Sequence, residues 1–161
     1  MTTFTAWKFE SVDGAEKATA VLRDASGDGL IRIEDYAVIE WEAAADRPTV
    51  KYENRDELRG AGWGALLGVL IGALFFLPLI GAAAGAAIGV LAKKMDAVGI
   101  TKEQLDTIGE AVVPGTSALF VVNHDSDRDR LAERFRGLGG ALIASNLVSG
   151  EEDEVRRAFE D

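Results

Sequence analysis

Cysteine is absent from this 161-residue chain, and proline and histidine are rare, with three and one copies. Without cysteine there are no disulfides, thiol nucleophiles or cysteine-ligated metals, which fits a reducing compartment. The single histidine, His124, is weak support for general-base catalysis, because a base needs an oriented partner and a substrate cleft. The phosphate-binding pattern Gly-x-x-x-x-Gly-Lys-Ser/Thr does not occur. We therefore expect a non-enzymatic protein with no catalytic residues and no cofactor.

Positive charge is also scarce. The chain has 17 basic and 27 acidic side chains, a net charge of -10 and a pI near 4.6. Nucleic-acid binding requires a basic face that neutralises phosphates, so we expect no nucleic-acid partner. Contact with anionic lipid would have to be driven by apolar insertion. The N-terminus, Met-Thr-Thr-Phe-Thr-Ala-Trp, lacks the basic start and apolar core of a secretory signal, which predicts a protein that is not exported.

Strand and helix patterns alternate on both sides of one apolar block. The predicted strands are residues 3–10, 30–41, 49–53, 117–123 and 141–145. The predicted helices are a first one capped by Asp13, a second capped by Thr101, a third that begins at Asp125, and a last one over residues 151–159. A short similarity between the first and last parts suggests two βαβ units. The fold class is therefore α+β, a ferredoxin-like split βαβ domain with an inserted apolar helical hairpin.

Composition changes most sharply at residues 61–92, the apolar segment, which contains no charged residue. This change divides the chain into three parts. Residues 1–54 form the first part of the α+β domain, residues 55–98 form the hairpin, and residues 99–161 form the second part with a C-terminal helix.

Glycine recurs every four residues in the apolar segment, which is typical of a glycine zipper. Residues four apart lie on one helix face, so such a series forms a groove without side chains. Each glycine costs about 1 kcal/mol relative to alanine in a helix, and close backbone packing between helices compensates for this in membranes. The zipper predicts self-association. Its glycines are Gly60, Gly64, Gly68 and Gly72 in one arm, and Gly81, Gly85 and Gly89 in the other.

Pro78 separates the two arms. Residues 60–77 give about 27 Å of helix and residues 79–92 about 21 Å, each less than the roughly 30 Å of a bilayer core. Basic residues flank both ends, which favours keeping both ends in the cytoplasm. We therefore predict a hairpin that enters the cytoplasmic membrane and leaves the α+β domain in the cytosol. The predicted membrane-interface residues are Trp63, Arg59, Lys93 and Lys94.

Two other environments stay open for the apolar segment. It could form the shared helical core of a soluble, cytoplasmic homo-oligomer such as a ring, cage or filament, or the core of a single protomer. In the membrane, the assembly could scaffold, remodel or perforate the bilayer. The expected partners are other copies of the chain and the lipid bilayer; other protein partners are undetermined.

The order of these features is similar to a known family. A strand-helix-strand unit ends in Gly-Leu-Ile-Arg-Ile-Glu-Asp-Tyr-Ala-Val-Ile at residues 29–39, and a returning Val-Lys strand follows it. The glycine-rich hairpin from Gly60 to Lys94 comes next, then a short helix and the strand Ser-Ala-Leu-Phe-Val-Val at residues 117–122. The chain thereby resembles the bacterial family called domain of unknown function 1269, often labelled predicted membrane protein. The resemblance implies a membrane-associated, non-catalytic protein and supplies no active-site residues.

Two acidic segments match metal-binding patterns weakly. Residues 24–35 fit a calcium-binding loop, with candidate ligands Asp24, Ser26, Asp28 and Asp35. The final aspartate is shorter than the usual glutamate and a predicted strand follows, so helix termination explains these residues better; a small ligand- or calcium-sensing module is the second alternative function. Asp125, Asp127 and Asp129 also offer carboxylates, but helix capping explains them.

Overall fold

A computed structural model describes residues 2–52, 63–76 and 84–160. Its strands are β1 (Thr3–Phe9), β2 (Ile31–Glu40), β3 (Thr49–Tyr52), β4 (Ser117–Ser126) and β5 (Ala141–Ser145). Its α-helices are α1 (Gly14–Gly27), α2 (Trp63–Ile71), α3 (Ala84–Asp96), α4 (Lys102–Ala111), α5 (Arg128–Phe135) and α6 (Ser149–Glu160). A π-helical segment, Gly72–Phe76, continues directly from α2. The predicted α+β class is confirmed.

The five strands form one antiparallel sheet in the order β3-β2-β4-β1-β5. Strand β4 lies at the centre and pairs with β1 from Thr3↔Asn123 to Phe9↔Ser117, and with β2 on its other side. Strands from the beginning of the chain therefore alternate in space with strands from its end. Residues 117–123 are all buried, as expected for a central strand that is covered on both faces.

Helices cover both faces of this sheet. One face packs against α2, the π-helical segment, α3 and α4, and the other packs against α1, α5 and α6. Alternate residues of each strand supply the two cores because successive side chains of a strand point to opposite faces. On the first face these include Phe4, Ala6, Ile39, Phe120 and Val122. On the second face they include Phe9, Tyr36, Val38, Leu119 and Val121.

The helix predicted to begin at Asp125 starts three residues later, so that part of the prediction was wrong. Strand β4 continues to Ser126 because that residue still pairs with Ile31 of β2. Asp125 lies within the strand but has a positive φ of 27°, a backbone conformation that residues other than glycine rarely adopt. Asp127 is the cap instead, and its carboxylate accepts a 3.2 Å hydrogen bond from the N–H of Arg130. Tertiary pairing of the strand thus overrides a local helix signal.

Candidate functional site

The glycine repeat lies on α2, the π-helical segment and α3. Gly64 and Gly68 belong to α2, Gly72 begins the π-helical segment, and Gly85 and Gly89 belong to α3. The remaining predicted positions lie outside the described residues: Arg59, Gly60, Pro78 and Gly81. Helix α3 contacts both α2 and the π-helical segment, so the described parts of the two arms pack side by side.

Large apolar side chains of these helices point at the sheet. Leu67, Leu70 and Ile71 are each at most 1% exposed, and they join Phe4 and Phe120 of the sheet in one core. Leu91 and Met95 of α3 and Phe75 of the π-helical segment belong to the same core. Together with α4, the apolar segment therefore covers one of the two faces of the sheet within one protomer.

The sequence carried a signal for this inner face. Leu67, Leu70, Ile71 and Leu74 follow the spacing of three and four residues that marks one buried helix face. The predicted site consisted of the glycines, Pro78 and the membrane-interface residues, and it left these large apolar side chains out. The segment has no charged face to contrast with these large side chains. Their spacing was therefore harder to recognise than it is in an ordinary amphipathic helix.

The described glycines lie away from this core. Gly68 and Gly72 are half-buried and Gly89 is exposed, and their neighbour Val69 is 42% exposed. Among the residues that the structure describes, a Cβ atom added at any of these three glycines would meet no atom within 4 Å. We call Gly68, Gly72 and Gly89 the glycine face. Within the described part of the protomer, therefore, this face makes no close helix-helix contact.

Two of the predicted membrane-interface residues are exposed at the end of α3. Lys93 and Lys94 lie in its last turn, where positive charge is favourable to the helix dipole. Trp63 begins α2, but its side chain is outside the described part of the structure. In the described ranges, none of the helices combines the length and the apolar character required to cross a bilayer.

The four candidate calcium ligands are spread over α1, the turn that follows it, and β2. Asp24 and Ser26 lie within α1, and Asp28 follows it with its carboxylate 2.6 Å from the guanidinium of Arg134. Asp35 is buried in β2, and its carboxylate accepts a 2.8 Å hydrogen bond from the N–H of Tyr36. Among residues 2–52, 63–76 and 84–160, no group of three or more His, Asp or Glu residues has the geometry of a metal site.

His124 lies near the end of β4 and faces Glu34 across the strand pair. Its Nε2 is 3.0 Å from a carboxylate oxygen of Glu34, and both side chains are more than a third exposed. This geometry is that of a surface ion pair when the histidine is protonated, and such pairs contribute little to stability.

Fold and site together define an α+β protein whose antiparallel sheet is covered on one face by glycine-bearing apolar helices. Residues 61–160 match the model of the family described as Protein of unknown function (DUF1269). This match covers more than half of the chain, so the chain belongs to that family, as the resemblance suggested. The matched region includes the glycine-bearing helices and all of α4 to α6, and it excludes residues 29–39. No curated protein and no solved structure matches the chain.

Proposed function

We propose that this chain is a non-enzymatic, membrane-associated protein that assembles with copies of itself through the glycine face. The observation that carries the proposal is the open space beside Gly68, Gly72 and Gly89. Each glycine disfavours a helix by about 1 kcal/mol relative to alanine. Nothing in the described part of the protomer contacts these positions closely enough to compensate. Packing against the helices of another protomer would supply that compensation.

The membrane is the environment in which such packing is favourable. Residues 61–92 carry no charge, and the exposed Val69 extends the apolar surface beside the glycine face. In lipid, close van der Waals contact between small residues associates helices without help from water. Lys93 and Lys94 would lie at the cytosolic surface of the bilayer. Insertion would separate the glycine-bearing helices from the sheet on which they pack in the protomer. The acidic domain would then stay in the cytosol, because its net negative charge is repelled by anionic lipid.

We also propose that the α+β domain is ferredoxin-like. Between β2 and β4 the chain inserts β3, the glycine-bearing helices and α4. With this insertion set apart, the remaining elements β1-α1-β2-β4-α5-β5 follow the βαββαβ order of a ferredoxin-like domain. The inserted helices then cover the sheet face that α1 and α5 leave open.

Fractionation of the native protein tests membrane association. We expect the full chain to sediment with membranes, to resist extraction by alkaline carbonate, and to be released by detergent as a species larger than one protomer. Recovery of the chain as a monomer in the supernatant without detergent would contradict both parts of the proposal.

Substitution of the glycine face tests self-association. We expect Gly68→Leu and Gly89→Leu to lower the mass of the assembly in detergent, measured by light scattering. A Cβ at either position meets no atom within 4 Å in the described part of the protomer, so a lower mass with unchanged circular dichroism would report contact between protomers. Gly27→Leu is the matched control, because Gly27 also faces open space but lies on α1. An unchanged mass in both glycine-face variants would contradict the proposal.

A soluble homo-oligomer is the second candidate, and the burial of Leu67, Leu70 and Leu91 against the sheet favours it. In that case the apolar helices stay on their own sheet, and only the glycine face contacts another protomer. The expected result is a defined species of high mass in the supernatant without detergent. The glycine-face variants would lower that mass as well.

A further inference from the structure

A cavity of about 80 Å³ lies on the sheet face opposite the glycine-bearing helices. Strands β1 and β4 form its floor, and α5 and α6 lie over it. An engineered cavity of about 150 Å³ holds benzene, so this space is roughly half as large and accommodates a few carbon atoms. The cavity is separate from the glycine face, so a ligand bound in it does not depend on the proposed assembly.

One end of the cavity is aromatic and aliphatic. The ring of Trp7 lies 5.3 Å from the ring of Phe159, which in turn lies 5.8 Å from the ring of Phe135. Val121 and Leu131 also line the space. Such a surface binds a hydrocarbon chain, because the chain leaves water without losing any hydrogen bond.

The other end is polar and lies where β1 begins and β4 ends. Thr5 and Asn123 line it, and both are more than nine-tenths buried. The hydroxyl of Thr5 accepts a 2.9 Å hydrogen bond from the indole N–H of Trp7. The side-chain N–H of Asn123 donates a 3.2 Å hydrogen bond to the carbonyl of His124. The two uncharged side chains are thus held in place beside the aromatic wall.

Arg128 is the charged residue at this end. It is the first residue of α5, it lines the cavity, and it is half-buried. Within the described ranges Arg128 forms no ion pair, whereas Arg134 and Arg156 each have a carboxylate partner. The nearest helix terminus does not compete for a ligand, because the carboxylate of Asp127 already occupies it. A half-buried cation that lacks a carboxylate partner in the described chain, at the mouth of an apolar cavity, favours an anionic head group.

We infer that this cavity binds a short-chain carboxylate, with its hydrocarbon chain against Trp7 and Phe159 and its carboxylate beside Arg128. An alkyl ammonium ion would be repelled by the guanidinium. A neutral alcohol would fill the apolar end and leave Arg128 unpaired. The acidic neighbours Asp127 and Asp129 weaken the attraction, so we expect a dissociation constant on the order of 1 mM.

Nuclear magnetic resonance with the full ¹⁵N-labelled chain tests this inference, with butyrate, butan-1-ol and n-butylammonium as probes of equal chain length. The indole N–H of Trp7 reports on the cavity, and Trp7→Phe assigns its signal. We expect butyrate to shift this signal and the amide of Asn123 with saturation, butanol to bind roughly fivefold or more weakly, and butylammonium to produce no shift.

Two arginine variants separate the charge from the cavity. We expect Arg128→Met to weaken butyrate about tenfold and to leave butanol binding unchanged. Arg130→Met is the matched control, because Arg130 is exposed on the same helix and does not line the cavity. Absence of any saturable shift with butyrate would overturn the site. Equal binding of butyrate and butanol, or an unchanged butyrate affinity in Arg128→Met, would overturn the assignment of an anionic ligand.

Discussion

The hydroxyl of Ser117 accepts a 2.9 Å hydrogen bond from the backbone N–H of Ala15, which lies 102 positions earlier in the chain. The same hydroxyl donates a 2.7 Å hydrogen bond to the carbonyl of Ser11. Ser117 is completely buried at the start of β4. Asp13 occupies the cap position of α1, but its side chain makes no capping hydrogen bond. The central strand therefore supplies the cap of the first helix.

Substitution of this serine should destabilise the fold. Ser117→Ala leaves the buried N–H of Ala15 without an acceptor, which costs about 1–3 kcal/mol of unfolding free energy. Urea unfolding measures the loss. Thr107→Ala is the control, because the hydroxyl of Thr107 is exposed on α4 and donates only to the carbonyl of Glu103 in the same helix. We expect the control to stay within about 0.5 kcal/mol of the wild type. Equal losses in the two variants would refute the capping role.

A neighbouring pair on α2 tests where the apolar helices lie. Leu70 is completely buried against the sheet, so Leu70→Ala should cost about 2–5 kcal/mol of unfolding free energy. Val69 is 42% exposed, so Val69→Ala should change stability by less than about 0.5 kcal/mol. Denaturant unfolding of the two variants gives the comparison. Should both changes be equally small, α2 would not be packed on the sheet.

Elements governed by local signals were predictable from the sequence. Thr101 caps α4 as expected, and its hydroxyl accepts a 3.2 Å hydrogen bond from the N–H of Gln104 three residues later. The apolar run at residues 117–123 was correctly predicted as a strand. The capping hydrogen bond and the apolar run each involve residues that are close together in the sequence. A short stretch of sequence is therefore enough to predict them.

Features that depend on distant pairing were not predictable in this way. Helix α5 starts later than predicted because Ser126 pairs with Ile31, which is 95 positions away in the chain. The cap of α1 comes from Ser117, which lies 102 positions after Ala15 of that helix. The cavity combines Trp7 from the first strand with Phe159 from the last helix, and no local pattern relates the two. For the glycine repeat, the spacing is visible in the sequence, but only the packing of Leu70 on the sheet shows which helix face remains open.

The carboxyl group of Asp13 should titrate below its ordinary range. Its oxygen lies 3.0 Å from the ammonium of Lys17, and hydrogen bonds from Lys17 and then Ser11 lower its pKa below the usual value of 3.8. Because the pKa of Asp13 is lower in the folded state than in the unfolded state, its ionisation stabilises the fold at pH values above the unfolded-state pKa. This contribution is lost as the pH falls through the folded-state pKa.

Carboxyl-carbon nuclear magnetic resonance follows this titration directly. We expect the midpoint of Asp13 to lie below 3.8 in the wild type and to rise toward that value in Lys17→Met. High salt should raise it as well, because the pair is exposed and screened. Lys102→Met removes a similar helical lysine, paired with Asp106, and should leave the midpoint of Asp13 unchanged. A midpoint that does not respond to Lys17→Met would show that another group sets this pKa.

Strand β5 is an edge of the sheet, and side chains form hydrogen bonds with backbone groups on its outer side. The N–H of Leu142 donates to the carboxylate of Glu160 at 2.7 Å, and the N–H of Ser145 donates to the side-chain carbonyl of Gln104 at 2.8 Å. The carbonyl of Leu142 accepts a hydrogen bond from the guanidinium of Arg156. Unpaired edge groups pair readily with other chains, so this covering blocks strand addition at β5.

Removal of the arginine should open this edge. Arg156→Met leaves the carbonyl of Leu142 without its donor, and because the arginine is partly exposed we expect a loss of only about 1 kcal/mol of unfolding free energy. Aggregation should nevertheless become faster, since a free edge is a template for another strand.

Arg157→Met is the matched control: Arg157 is the next residue in α6, and its Nε donates to the carbonyl of Asp153 within that helix. Light scattering during incubation below the unfolding temperature compares the two rates. Both variants remove one positive charge, so a difference between their aggregation rates reports the loss of the hydrogen bond at the edge. Identical rates would mean that Arg156 does not protect β5 from pairing with another strand.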